Sequence, residues 1–180
     1  MGEDNPKAPR ELRDYLVLLR QKDSTGQPFV LVGGQAANYW AALYLQREPQ
    51  LRSLLPFLSK DVDFIGTKTE AAQVAQQTGW HLSPPLFGDG PVEAVLSSEP
   101  GQQGLLADFL FEIKGVAREN ILEYAQSGLL HVAETGEGDT LQCRAATSHS
   151  PQWPKRDASL TLIFAAVKAW PLWCADTPIP

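Results

Sequence analysis

Ser59-Lys60-Asp61-Val62-Asp63-Phe64-Ile65, closed by Gly66, is the stretch on which the reading of this chain turns. Val62, Phe64 and Ile65 are apolar and β-prone, so the segment predicts a strand. Residues two apart on a strand share a face. Asp61 and Asp63 therefore project together, about 6.6 Å apart along the chain, while Val62 and Phe64 turn the other way. Two carboxylates so placed repel each other unless water or a cation lies between them. Hard oxygen donors on one face suit Mg²⁺ (or Mn²⁺), and Mg²⁺ usually takes one or two carboxylates, leaving its other positions to water and phosphate.

Upstream, Phe29-Val30-Leu31-Val32 is a short continuous apolar run of the kind found in fully covered strands. Gly33-Gly34 closes it, and residues 35–47 resume as an apolar, alanine-rich helix. A strand that ends in two glycines and leads into a helix lets backbone N–H groups approach a phosphate. Taken alone, such a pair is more often a tight turn. Downstream, residues 105–113 read as a strand, Leu-Leu-Ala-Asp-Phe-Leu-Phe-Glu-Ile, with Asp108 in its middle. A lone carboxylate in so apolar a run is costly unless it is paired, hydrogen-bonded or metal-bound. A neighbouring strand is expected to bring Asp108 beside Asp61 and Asp63. The alternative is an Asp that binds a backbone N–H or a basic side chain at the strand's edge.

The remaining segments alternate helix and strand. Pro9 opens a helix over 9–22, with Leu12, Tyr15, Leu16 and Leu19 on one stripe. A second helical piece covers 50–55. Residues 68–78 form a helix with Thr67 as N-cap and Gly79 as its stop. Strands over 92–97 and 105–113 are joined through Ser98-Glu99-Pro100-Gly101 as a hairpin. A short helix over 119–126 and a weak strand over 129–133 follow. The fold class is α/β or α+β, a mixed sheet flanked by helices.

The order Val32-Gly33-Gly34, then Asp61-Val62-Asp63-Phe64, then Ala107-Asp108-Phe109 resembles the nucleotidyltransferase superfamily, the DNA polymerase β-like fold. Gly33-Gly34-Gln35-Ala36 and Ser59-Lys60-Asp61-Val62-Asp63 are similar to the motifs of AbiEii/AbiGii toxin-type nucleotidyltransferases. The likeness spans roughly residues 28–116. It implies that Asp61 and Asp63 hold the metal ions that bridge an NTP's triphosphate. Asp108 would complete the second metal site and help deprotonate the attacking hydroxyl. Gly33 and Gly34 would cradle phosphates, with Ser59 and Lys60 touching them from the strand start; an exposed Lys there is more often simply solvated. It implies an acceptor that is RNA, such as tRNA, or a protein side chain, and an antitoxin as partner. The gap from Gly34 to Asp61 is longer than in compact members of the superfamily, and residues 141–180 do not resemble the toxins' C-terminal helical region. The alternatives are a nucleotide-binding module that has lost catalysis, and an unrelated α/β domain whose D-V-D is merely solvated.

Composition bounds these readings. The 180 residues suit one domain, and 15 Lys+Arg against 21 Asp+Glu give a net charge of −6. That balance argues against a broad nucleic-acid-coating surface but leaves a local basic groove open. The polar N-terminus carries no secretory signal pattern, and the apolar runs are too short for a membrane helix, so a cytoplasmic protein is expected. Cys143 and Cys174 lack C-x-x-C spacing, and His81, His131 and His149 lack ligand spacing. Tyr39, Trp40 and Tyr44 read as core packing rather than base stacking, and Glu112 as a solvated strand-end acid.

Charge divides the chain near residue 140: residues 1–140 hold 19 acidic and 11 basic side chains, whereas residues 141–180 hold 2 and 4. The second part also carries three of the five tryptophans and five of the fourteen prolines. The expected division is a body over 1–140 and an atypical tail over 141–180. That tail is either an ordinary C-terminal cap with a helix over 159–170, or a poorly ordered or out-of-frame remnant.

Overall fold

A computed structural model of the chain describes residues 8–85, 90–113, 116, 118–132 and 139–146. The N-terminal helix is shorter than its pattern suggested. A 3-10 turn over Leu12–Tyr15 runs into α1, Leu16–Leu19, and the Glu11 N–H donates to the Asp14 carboxylate at 3.0 Å. The apolar stripe of Leu12, Tyr15, Leu16 and Leu19 is buried as its spacing requires. Then come β1 (Val30–Val32), α2 (Gly33–Tyr44), a 3-10 stretch over Pro49–Leu54, β2 (Val62–Ile65) and α3 (Lys68–Thr78). They are followed by β3 (His81–Ser83), β4 (Val92–Glu99), β5 (Gln103–Leu110), α4 (Arg118–Tyr124), β6 (Ala125–Val132) and β7 (Asp139–Ala146).

The strands form one mixed seven-stranded sheet in the order β3-β4-β5-β2-β1-β7-β6. β2 pairs with β5, and β1 with β7, in parallel; the other neighbours are antiparallel. This is the expected mixed sheet flanked by helices. Strand alternation divides the core between its two faces. Leu31, Val62, Phe64, Ala107, Phe109, Cys143 and Ala145 pack with residues of α1, α2 and α3 on one face. Val30, Val32 and Ile65 pack with Val116, which precedes α4, and with Ile121 of α4 on the other. Phe29, Phe64 and Phe109 meet with ring centroids 5.4–5.9 Å apart, so the first face is pinned at the centre of the sheet.

α3 is bounded as its sequence dictates. Thr67 Oγ1 accepts from the Glu70 N–H at 3.2 Å, the Glu70 carboxylate accepts from the Thr67 N–H at 2.8 Å, and Gly79 closes the helix in the left-handed region. Glu70 also accepts from the Ser24 hydroxyl and from Arg118, at 3.1 and 3.3 Å, which ties a loop and α4 to this helix. Burial pushes the Glu70 carboxyl up. The bonds from the Thr67 backbone and side chain, the Ser24 N–H and the Arg118 charge outweigh it and hold the carboxyl below its ordinary value.

Three further expectations change. α2 begins at Gly33 itself, so both glycines lie in the helix's first turn rather than ahead of it. β2 begins at Val62, because Ser59 pairs with Arg10 and the chain bends at Lys60 and Asp61 before joining the sheet. The compositional break at residue 140 falls inside β7. Leu141, Cys143 and Ala145 alternate with Gln142 and Arg144, and the strand lies against β1, so the body continues through Ala146. The Trp40 indole donates to the Ala146 carbonyl at 3.0 Å, and Arg144 pairs with Asp23 at 3.7 Å. The expected helix over 159–170, and the rest of 147–180 with His149 and Cys174, lie outside the described residues.

Candidate functional site

Register assembles the site. Val32 of β1 stands opposite Asp63 of β2, and Asp63 stands opposite Asp108 of β5. Adjacent strands lie about 4.8 Å apart, so these two carboxylates leave the sheet side by side. Their neighbours Val62, Phe64, Ala107 and Phe109 fill the core on the opposite face. Asp61 sits at the bend just before β2, half-buried and outside the ladder.

Two glycines bring the start of α2 against this cluster. Gly33 has φ of 64°, and a side chain there would overlap the Asp63 carboxylate. Gly34 has no unusual φ, yet a Cβ on it would press against the Ser59 hydroxyl. A turn alone explains the first glycine; close approach to Ser59 explains the second. Backbone N–H groups at a helix N-terminus have no intrahelical partner and favour anions, and here they open beside Asp63 and Ser59. Lys60 is exposed at the bend.

The electrostatics are those of crowded like charge. Two unit charges about 5 Å apart repel by about 3 kcal/mol at an effective dielectric of about 20. Burial, reinforced by Asp61 and then Asp108, pushes the Asp63 carboxyl from its ordinary 3.8 up to about 7. Near neutral pH a proton on Asp63 thus stands where a counter-charge would. Among the described residues, no three His, Cys, Asp or Glu side chains converge into a ready cluster for a metal ion. The donor chemistry fits a hard divalent cation all the same. Asp63 and Asp108 are brought together in register, the Asp61 charge acts on Asp63, and all three donors are carboxylates.

Several neighbours carried no signal in the sequence. Tyr15 read as one more core position on an apolar stripe. Its hydroxyl is fully buried without a hydrogen-bond partner, and burial together with the Asp61 charge raises it well above the ordinary tyrosine value. The parts played by Arg10 and by the Gln35 side chain lie in pairing across distant segments. Tyr39, Trp40 and Tyr44 pack on one another along α2. Glu112 is exposed beyond the end of β5, His81 is exposed on β3, and Cys143 is a buried free thiol.

No family model matches this chain, and no curated protein or solved structure matches it either.

Proposed function

We propose that the chain is a divalent-metal-dependent nucleotidyltransferase, moving a nucleoside monophosphate from an NTP to an RNA or protein acceptor. The observation that carries this reading is the register of Asp63 between Asp108 and the Val32-Gly33-Gly34 entry into α2. It sets acid donors for a cation beside unpartnered backbone N–H groups suited to phosphate.

Asp61, Asp63 and Asp108 would hold Mg²⁺ or Mn²⁺, which would offset the negative charge of the triphosphate. The first turn of α2 would orient the phosphates through its N–H groups, and the Ser59 hydroxyl would donate beside them. Lys60, at the bend, would meet the outer phosphates. The Asp108 carboxylate would take the proton of the acceptor hydroxyl as its oxygen bonds to the α-phosphorus. Pyrophosphate then leaves from the opposite side.

Toxin-type enzymes with this motif order suggest tRNA among the RNA acceptors and an antitoxin protein as partner. The test is transfer of label from α-phosphate-labelled NTPs, with Mg²⁺, into total RNA or total protein. Transfer lost in the Asp61→Ala/Asp63→Ala double variant supports the enzyme and identifies its acceptor class. Metal-dependent NTP binding without transfer would leave a nucleotide-binding module instead. No metal-dependent binding would leave D-V-D as a solvated strand end.

A further inference from the structure

Arg10 is joined to the Ser59 end of the candidate site by a chain of backbone contacts that lies outside the motifs. Its N–H donates to the Ser59 carbonyl at 2.7 Å, and the Ser59 N–H donates back to the Arg10 carbonyl at 2.9 Å. This isolated antiparallel bridge fixes one residue of the N-terminal segment against the residue two before Asp61. The Arg10 carbonyl accepts a second bond, at 3.1 Å, from Nε2 of Gln35. Gln35 is fully buried in the turn of α2 that follows the two glycines, and its own Oε1 accepts from Asn38 at 3.1 Å. A buried amide used to hold the backbone of an exposed residue is costly to leave unsatisfied, so this anchor fixes where Arg10 stands.

The arginine itself is exposed and forms no ion pair among the described residues. Directly opposed residues of an antiparallel pair project to the same face, and Ser59 turns its hydroxyl toward Gly34. Opposed Cα atoms of a hydrogen-bonded pair lie about 5.5 Å apart, and Asp61 follows Ser59 by about 6.6 Å of extended chain. Those spans are within the reach of an arginine. Among the described residues, no ion pair joins Arg10 to Asp61 or Asp63.

We infer that Arg10 is an anion-binding residue of the site, its backbone held by Gln35 and Ser59 so that its side chain can grip the phosphate chain of the substrate beside the acids. This rests on the nucleotidyltransferase reading and extends it to a residue outside its motifs. An uncommitted guanidinium presents a fork of donors matched to phosphate oxygens. Its placement complements cations held by the carboxylates, since a triphosphate bridges both kinds of positive charge.

The experiment is calorimetric titration of the full chain with Mg²⁺-tripolyphosphate, and separately with orthophosphate, at two salt concentrations. Wild type, Arg10→Gln, Arg10→Lys and Asp61→Ala/Asp63→Ala are compared, with thermal melts alongside. Removing a charge-assisted contact of this kind is expected to weaken tripolyphosphate binding by about tenfold or more. Arg10→Lys should recover part of the loss, Arg10→Gln should flatten the salt dependence, and the melting temperature of both should stay at the wild-type value. If Arg10→Gln binds as wild type while the double Asp variant does not, the inference falls and the site reading stands. If wild type itself binds no tripolyphosphate with Mg²⁺, both fall.

Discussion

Substituting Asp63 by Asn should make the metal-free protein more stable at pH 8. In the folded chain, burial and the charges of Asp61 and Asp108 raise this carboxyl from 3.8 to about 7. The unfolded chain keeps the ordinary value. Between those limits the folded state binds more protons than the unfolded one, so stability falls as pH rises. The contribution is fully present below about pH 4 and is gone once pH passes the folded value of about 7. At 1.36 kcal/mol per pH unit, the whole effect is about 4 kcal/mol. Asn matches the neutral acid in shape and cannot ionise, so the variant should escape the loss. For a chain of this size 1 kcal/mol moves Tm by about 2–4 °C, which puts the gain at pH 8 near 10 °C. Urea unfolding followed by circular dichroism, with EDTA present, measures it across pH 4 to 8. An Asn variant as stable as wild type at pH 8, or less stable there, would refute the crowded-carboxylate account of the site.

Three further outcomes follow from particular contacts. Gly33→Ala sets a methyl group against the Asp63 carboxylate at a residue with φ of 64°; it should cost about 1–3 kcal/mol and abolish NTP binding, read by unfolding and by nucleotide titration. Thr67→Ala removes the capping hydroxyl of α3 and should cost about 1 kcal/mol without changing nucleotide binding. Phe109→Ala empties the centre of the ring cluster with Phe29 and Phe64 and should cost about 3–5 kcal/mol, seen as a lowered denaturation midpoint.

What was legible in the sequence were features that local chemistry enforces. Thr67 and Gly79 bounded α3 because a capping hydroxyl and a left-handed glycine act within a few residues. The alternation in Val62-Asp63-Phe64 and Ala107-Asp108-Phe109 placed each acid opposite a core residue, and the sheet then set Asp63 beside Asp108. Pairing between distant segments was not legible. Nothing in Thr140-Leu141-Gln142-Cys143-Arg144 announces that the strand lies beside β1, and the shift in charge and tryptophan content drew the boundary through it. The bend at Lys60 and Asp61 was hidden for the same reason, since it arises from the bridge between Arg10 and Ser59, far apart in the chain. Gln35 and Tyr15 are polar groups whose meaning lies in what their atoms reach, which a spacing pattern does not encode.

The most direct test of the central claim, that the neighbouring carboxylates of Asp63 and Asp108 are a divalent-cation site, is a Mn²⁺ titration followed by electron paramagnetic resonance at pH 8. Wild type should bind Mn²⁺ and release it to excess Mg²⁺, and Asp63→Asn and Asp108→Asn should each bind it at least about tenfold more weakly. Equal Mn²⁺ affinity in all three proteins, or no binding by wild type, would contradict the account.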